Sequence, residues 1–302
     1  MSGALSASLV KSVLVASLEP LPKYAILLFI PNLSTYYYLK YNSKVNEITN
    51  KRDGNNVLFL NAGDHFQGTI WYTFEKSKVV AEFVKLMKHD VMTLGNHEFD
   101  DGVEELLPFI KNITQNEEKN VTIVCSNIEF SGELQQMIKA STLMEIGGKK
   151  VAIIGYITPD TKFLSSPGNT VKFYDEIESI RKEIINLKRE HDDLNIFIAL
   201  GHSGLEKDQE IAKNIPELDV VVGGHSHSLL YTGQPPSIDK PEGPYPMVVD
   251  HGIDGKTLVV QAFAFGKYLG KLDLIFDEGG HITSYGGNPI LLDGSVPEGL
   301  II

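Results

Sequence analysis

The chain has 302 residues, a formal net charge of -12 and 42% hydrophobic residues. A chain of this length can bury a large core, and its negative charge without a basic stripe excludes a nucleic-acid-binding groove or patch. A small phosphorylated substrate stays compatible, because a bound metal ion reverses the local field. The only cysteine, Cys125, excludes an intrachain disulfide and a thiolate metal site, and we expect it in a buried strand.

Residues 1–43 show no clear element, and we expect them to form a disordered or loosely attached leader. The apolar stretch at residues 25–30 is too short to cross a bilayer, so we expect no transmembrane segment. The leader has only fragments of a signal-peptide pattern. We therefore predict no core strand within residues 1–45, and we place the folded domain at residues 44–302.

Four short apolar runs predict buried strands, and each run ends at a polar cluster. The clusters that follow them are GDHFQG, GNHEFD, GHSG and GGHSH. Ligands gather outside the carboxyl ends of strands in open α/β sheets, so we expect four side chains to converge: Asp64, Asn96, His202 and His225. One carboxylate, one carboxamide and several imidazoles are a typical ligand set for divalent metals, which indicates a hydrolase.

Helical spacing of apolar residues appears between these strands. Three segments, near residues 79–87, 103–110 and 177–187, each place their apolar side chains on one helical face. After about residue 245, apolar runs follow one another without an intervening helix, which predicts a second, largely antiparallel sheet region. The sequence therefore predicts an α/β fold of two sheets with helices outside them.

Several motifs together resemble the amino-terminal metallophosphatase domain of the 5'-nucleotidase family, which includes animal ecto-5'-nucleotidases and salivary apyrases. They are GNHEFD, GHSG, GGHSH, GTIWYTFEK (68–76), LLYTGQPPS (229–237), AFGKYLGKLDL (264–274) and NPILLDGSVPEG (288–299). The resemblance implies a calcineurin-like αββα sandwich, in which two mixed sheets pack together between outer helices. It also implies two divalent metals, usually zinc, and hydrolysis of nucleoside 5'-phosphates such as AMP, with ADP and ATP as further candidates.

The same resemblance implies roles for individual residues. Asp64 corresponds to the carboxylate that bridges both metals, and His227 lies where one metal takes a ligand. The remaining ligands of the other metal correspond to Asn96, His202 and His225. His97 and Asp100 match a dyad beside the phosphate, in which the imidazole assists the transition state and the carboxylate orients it. Their spacing of one helical turn allows Asp100 to fix the ring tautomer.

The chain departs from the family pattern in its metal ligands. The family begins with a strand that ends in Asp-x-His and supplies two ligands to the second metal, and no Asp-x-His precedes Asp64. Only Asp64 and His227 remain for that metal, whereas a catalytic zinc usually has three protein ligands. The family's base-binding carboxy-terminal domain also follows the matched region. We therefore expect one better-formed metal site and impaired turnover.

Three interpretations of function stay open: a nucleoside 5'-phosphate hydrolase, a non-catalytic or single-metal form that keeps the fold, and another metallophosphoesterase such as a phosphodiesterase. The resemblance implies an extracellular or cell-surface location, and three sequons are compatible with a secreted glycoprotein: Asn32, Asn112 and Asn120. We interpret the other histidines as structural: His65, His89, His191, His251 and His281. Tyr72 and Phe74 are interpreted as core or interface aromatics. The oligomeric state stays open.

Overall fold

The computed structural model describes residues 16–18, 23–29, 35–50, 56–115 and 120–298. Within these ranges, two main mixed sheets and a two-stranded sheet are accompanied by helices, which is the predicted αββα class. The strands are β1 (Ala16–Leu18), β2 (Lys23–Phe29), β3 (Val57–Asn61), β4 (Val91–Met92), β5 (Thr122–Ile123), β6 (Ile128–Phe130), β7 (Ser141–Ile146), β8 (Lys149–Ile157), β9 (Val171–Phe173), β10 (Ile196–His202), β11 (Val220–Val222), β12 (Met247–Asp250), β13 (Lys256–Val260), β14 (Tyr268–Phe276), β15 (Ile282–Gly286) and β16 (Ile290–Leu291).

The α-helices include the three segments that were predicted from apolar spacing. They are α1 (Thr35–Asn50), α2 (Ile70–Glu75), α3 (Ser77–Met87), α4 (Val103–Thr114), α5 (Leu134–Met137), α6 (Thr161–Leu164), α7 (Glu176–Glu190) and α8 (Leu205–Asn214). Short 3₁₀ helices cover Asn96–Phe99 and Gly252–Asp254. The apolar faces of α3, α4 and α7 are buried, as their spacing predicts. None of the described helices is long and apolar enough to cross a membrane.

The first main sheet has the strand order β15-β14-β1-β2-β3-β4-β5, and β16 also pairs with β14. Strands β2 to β5 run parallel, with Phe29 beside Asn61 and Met92 beside both Asn61 and Ile123. Strand β14 lies antiparallel to β2. The carboxyl ends of β3 and β4 therefore meet at one edge of the sheet, where both are followed by polar motifs.

Strand β2 contradicts the prediction that residues 1–45 supply no core strand. It lies between β3 and β14, and Leu28 pairs with both Leu60 and Gly270. Its apolar run is typical of a central strand, but no metal-ligand motif follows it, so the strand was missed. Helix α1 crosses the predicted domain start at residue 44, and that boundary stays a prediction. Residues 1–15, 19–22 and 30–34 of the predicted leader lie outside the described residues.

The second main sheet has the order β12-β13-β11-β10-β8-β7. Its four central strands run parallel, with Leu200 beside Gly155 and Val222, and Val222 beside Val260. All seven residues of β10 are buried. Most strand pairings after residue 245 are antiparallel, as predicted, but these strands do not form a sheet region of their own. Strand β13 joins the second main sheet parallel to β11, whereas β14 joins the first sheet. A run of strands does not reveal which sheet each strand joins.

Cys125 is buried, as the sequence predicts, but it lies two residues after the end of β5 and not in a strand. Burial raises the pKa of its thiol to about 12. A thiol with such a pKa is protonated at neutral pH and is a poor nucleophile. Cys125 is therefore a packing residue of the core.

Candidate metal and catalytic site

The candidate site lies where strand ends from both main sheets meet. Asp64 follows β3 and Asn96 begins the 3₁₀ helix after β4, while His202 ends β10 and His225 follows β11. The Nδ1 atom of His202 donates a hydrogen bond of 2.7 Å to the carbonyl oxygen of Ala62, which links the two sheets at this point. The structure thus brings together the four side chains that the sequence places at separate strand ends.

Side-chain oxygen and nitrogen atoms of these residues lie close enough together to hold a metal ion. One ligand atom each from Asp64, His202 and His225 lies within 4.8 Å of the other two. The Nε2 atom of His202 is 2.9 Å from Oδ2 of Asp64, and Nδ1 of His225 is 2.9 Å from Oδ1 of Asn96. Because a backbone carbonyl engages Nδ1 of His202, its Nε2 is the atom left to face a cation, as in most metal-bound histidines. These residues fit one divalent metal ion.

The protonation states of Asp64 and His225 also suit a metal. Burial alone would raise the pKa of Asp64, but His202 and His97 outweigh it and hold that pKa below its ordinary value. Burial acts to lower the pKa of His202, yet the charge of Asp64 raises it overall. Burial and the charge of His202 lower the pKa of His225 to about 4, and burial lowers that of His227. At neutral pH, Asp64 is therefore ionised and His225 neutral, as metal ligands must be.

The backbone at the site is unusually tight. Gly63 has φ +82, and a Cβ added there would lie 2.3 Å from the backbone nitrogen of Gly95. A Cβ on Gly95 would lie 2.1 Å from Oδ1 of Asp64. Asp64 and His225 themselves adopt φ values of 67 and 74, in a region that non-glycine residues rarely occupy. The motif glycines therefore allow two loops to approach closely, and the neighbouring strain is of the kind found at functional sites.

His97 and Asp100 form the predicted pair beside the cluster. The Nδ1 atom of His97 is 2.7 Å from Oδ2 of Asp100, and the backbone N–H of His97 donates to Oδ1 of Asp64 at 3.0 Å. The His97 side chain is 45% exposed, so it is accessible to a substrate. Partial burial lowers the pKa of His97, but the hydrogen bond to Asp100 and the charge of Asp64 raise it overall. The pair can therefore supply positive charge or a proton next to a bound cation.

Glu98 belongs to the same motif, and the sequence reasoning gave it no role. Its buried carboxylate accepts hydrogen bonds from four backbone N–H groups: Gly95 at 2.6 Å, Asp64 at 2.7 Å, His65 at 2.5 Å and Phe66 at 3.1 Å. Burial and the charge of Asp64 raise the pKa of Glu98 to about 7. Glu98 is the third residue of its 3₁₀ helix, a position from which a glutamate commonly reaches back to the N-cap N–H, so a partial local sequence signal for this residue existed.

A second buried network supports the loop at residues 223–228, which carries His225 and His227. The amide of Gln261 donates to Oδ2 of Asp208 at 2.8 Å and to the carbonyl of Gly224 at 2.9 Å. The hydroxyl of Tyr156 donates to Oδ1 of Asp208 at 2.7 Å. No local sequence signal marks this network, because its partners lie 37 or more positions apart along the chain.

Other predicted residues have mixed outcomes. His227 lies outside the three-residue ligand cluster, and its ring centroid is 5.1 Å from that of Phe265. Tyr72 is buried and its hydroxyl donates to Asp101 at 2.7 Å, which confirms it as a core residue. Phe74 is 76% exposed and is not a core residue.

The two-sheet fold, with a candidate cluster of divalent-metal ligands between the sheets, matches the architecture of calcineurin-like phosphoesterases. The chain belongs to the calcineurin-like phosphoesterase family, whose model matches residues 36–229. The matched range includes Asp64, Asn96, His202 and His225. It also includes the His97–Asp100 pair, so the complete candidate site lies within the family match.

Individual relatives narrow the similarity to 5'-nucleotidases, as the sequence resemblance predicts. The 5'-nucleotidases of Mus musculus and Homo sapiens are 45% and 46% identical over 261 residues, which cover 85% of this chain and 44% of each relative. The crystal structure of a 5'-nucleotidase precursor from Thermus thermophilus matches with a TM-score of 0.79 and 32% identity, over 90% of this chain and 55% of that one. The chain thus spans less than half the length of the two curated mammalian relatives.

Proposed function

We propose that this chain is a phosphohydrolase that uses a divalent cation, with zinc as our candidate, to hydrolyse nucleoside 5'-phosphates. One observation carries the proposal: the metal cluster and the dyad share a carboxylate. Oδ2 of Asp64 faces His202 within the cluster, and Oδ1 accepts the backbone N–H of His97. The charge of Asp64 also acts on the His97 ring, so a phosphate that reached the cation would lie near that side chain.

The roles of the residues follow from this arrangement. A cation would be held by Asp64, Asn96, His202 and His225, and when bound it supplies Lewis-acid stabilisation of phosphoryl charge. His97 donates a hydrogen bond or a proton to the phosphoryl group in the transition state, and Asp100 keeps its ring oriented. Glu98 and Gln261 hold the loops on which these residues lie.

We propose one such cation per chain. Residues 1–63 contain no histidine, and their only aspartate is Asp53. With His227 outside the described ligand cluster, a second cation has Asp64 and His227 as its remaining candidates. That is fewer than the three protein ligands usual for a catalytic zinc. A non-catalytic, single-metal form that keeps the fold is therefore our second candidate function.

We propose further that the protein acts in nucleotide breakdown, outside the cell or at its surface. The similarity to animal 5'-nucleotidases supports this proposal. AMP is the first candidate substrate, followed by ADP and ATP. Asn112 and Asn120 are exposed, as glycosylated residues must be. We assign the function to the unit at residues 44–302, to which β2 contributes a strand.

The test is steady-state hydrolysis by residues 1–302 of AMP, p-nitrophenyl phosphate and bis(p-nitrophenyl) phosphate, with zinc content measured on the same samples. We expect slow hydrolysis of both monoesters with similar kcat/KM. The proposed roles of the metal cluster and the dyad involve only the phosphate group, which AMP and p-nitrophenyl phosphate share. We also expect one zinc per chain and no hydrolysis of the diester.

Each other outcome contradicts a specific part of the proposal. Efficient hydrolysis that favours AMP would contradict the impaired turnover, and two zinc ions per chain would contradict the single-cation site. No monoester hydrolysis at full metal occupancy would favour the non-catalytic form. Hydrolysis of the diester would favour a phosphodiesterase.

A further inference from the structure

Asp100 has a hydrogen-bond partner besides His97. The hydroxyl of Ser165 donates to Oδ1 of Asp100 at 2.6 Å, while Oδ2 of Asp100 lies 2.7 Å from Nδ1 of His97. Both carboxylate oxygens are thus engaged, and the Asp100 side chain is only 18% exposed. Two bonds on opposite oxygens fix the plane of the carboxylate, and through it the orientation of the imidazole.

Ser165 is itself held by a short, well-anchored segment. It follows α6, and its backbone N–H donates to the carbonyl of Thr161 at 3.0 Å. Thr161 is fully buried, and its hydroxyl donates to the carbonyl of Thr158 at 2.7 Å. The N–H of Thr158 donates to the carbonyl of His202 at 3.0 Å. The segment is therefore attached to the strand end that carries a candidate metal ligand.

The other end of this segment is attached to the dyad's own 3₁₀ helix. The backbone N–H of Ser166 donates to the carbonyl of Phe99 at 3.2 Å. Residues 158–166 thus bridge the end of β10 and the turn that carries His97. A side chain on a support that is fixed at both ends can hold another side chain in a single orientation.

We propose that Ser165 is a positioning residue for the His97–Asp100 pair. It acts through the carboxylate of Asp100, and none of its contacts places it in the metal cluster. The kinetic consequence rests on the proposed function, because it requires phosphohydrolase activity. The effect of Ser165 on the orientation of His97 does not require activity.

The kinetic test compares Ser165→Ala, Ser165→Thr and the matched control Ser166→Ala. Loss of a hydrogen-bond partner behind a metal ligand costs about 10- to 100-fold, and by analogy we expect kcat to fall roughly tenfold in Ser165→Ala. We expect KM for p-nitrophenyl phosphate to stay within about twofold, because Ser165 acts behind Asp100. Threonine retains the hydroxyl and should restore most of kcat, and Ser166→Ala should behave like the wild type.

A double-mutant cycle with Asp100→Ala separates positioning from general damage. If Ser165 acts through Asp100, adding Ser165→Ala to Asp100→Ala should lower kcat no further. Equal losses in the wild-type and Asp100→Ala backgrounds would overturn the proposal. Equal losses in Ser165→Ala and Ser165→Thr would do the same.

Nuclear magnetic resonance of histidine-labelled protein gives a readout that needs no turnover. The Nδ1–H proton of His97, assigned with a His97→Gln variant, should resonate downfield and exchange slowly in the wild type and in Ser165→Thr. In Ser165→Ala it should move upfield and exchange faster, while Ser166→Ala leaves it unchanged. An unchanged signal in Ser165→Ala would overturn the positioning role. Absence of hydrolysis alongside the expected spectra would instead count against the proposed function alone.

Discussion

The backbone N–H of Asp64 donates a hydrogen bond of 2.7 Å to the buried carboxylate of Glu98. The same carboxylate accepts the N–H of Gly95, so one side chain joins the loop after β3 to the loop after β4. Asp64 and Asn96 lie on these two loops. The distance between two candidate metal ligands therefore depends on a residue that binds no metal itself.

Glu98→Gln should destabilise the protein and weaken metal binding. A glutamine keeps one acceptor oxygen, and its amide group would face backbone N–H donors that then have no acceptor. Each buried donor left unpaired costs about 1–3 kcal/mol, so we expect the free energy of unfolding to fall by at least that amount. Urea unfolding of the metal-free protein measures the change. The exposed Glu104→Gln is the control, and equal destabilisation in both variants would contradict the role of Glu98.

The sequence predicted those site residues whose signal is local. Asp64 and Asn96 each follow an apolar strand and a glycine, whereas Glu98 was missed although its position in the 3₁₀ helix gives a partial capping signal. The side-chain contacts of Ser165 and Gln261 were not predictable, because each partner lies 33 or more positions away along the chain. Only the folded chain brings such pairs together.

The same distinction between local and distant information explains the outcome for the fold. Strands and amphipathic helices were predicted because their periodicity is local. Strand β2 was missed because no polar ligand motif marks its end. The division of β13 and β14 between two sheets depends on pairing with Val220–Val222 in one case and with β2 in the other.

Asn96→Ala and His225→Ala should each nearly abolish zinc binding. Each removes one of four candidate ligands, and a water molecule does not restore both the geometry and the lost ligand atom, so we expect at least a roughly 100-fold loss of affinity. Zinc titration against a competing chelator measures the loss. His227→Ala should change the affinity little if the chain binds one cation, and the exposed His281→Ala is the control. Wild-type affinity in both Asn96→Ala and His225→Ala would rule out this site.

His97→Ala should leave the zinc content intact yet lower the rate of phosphate ester hydrolysis. A positioned acid or charge stabiliser is worth roughly 10² to 10⁴ in rate, and the ring itself lies outside the ligand cluster. Asp100→Asn should have a smaller effect, because it perturbs the ring's orientation without removing the ring. Metal content and kcat are measured on the same preparation. If zinc were lost in proportion to activity, His97 would be a ligand instead.

Asp208 gives the fold a specific pH dependence. It is fully buried, and desolvation raises its pKa from an ordinary value of 3.8 to about 7, although Gln261 and Tyr156 donate hydrogen bonds to it. The folded state therefore binds this proton more tightly than the unfolded state. The stabilising contribution of the protonated form is present below about pH 4 and is lost as the pH rises towards 7.

Asp208→Asn removes the titrating carboxyl group. The difference in unfolding free energy between wild type and variant therefore reports the pH-dependent contribution of Asp208 alone. Because other carboxylates titrate in both proteins, their contributions cancel in the difference. We expect the wild type to lose stability relative to Asp208→Asn between pH 4 and 7, and the difference to be constant at higher pH. Urea unfolding of the metal-free proteins at each pH unit measures this difference. Asp192→Asn, at an exposed position, is the control. Parallel stability curves for wild type and Asp208→Asn across this range would show that Asp208 stays ionised in the core, held by Tyr156 and Gln261 against the cost of burial.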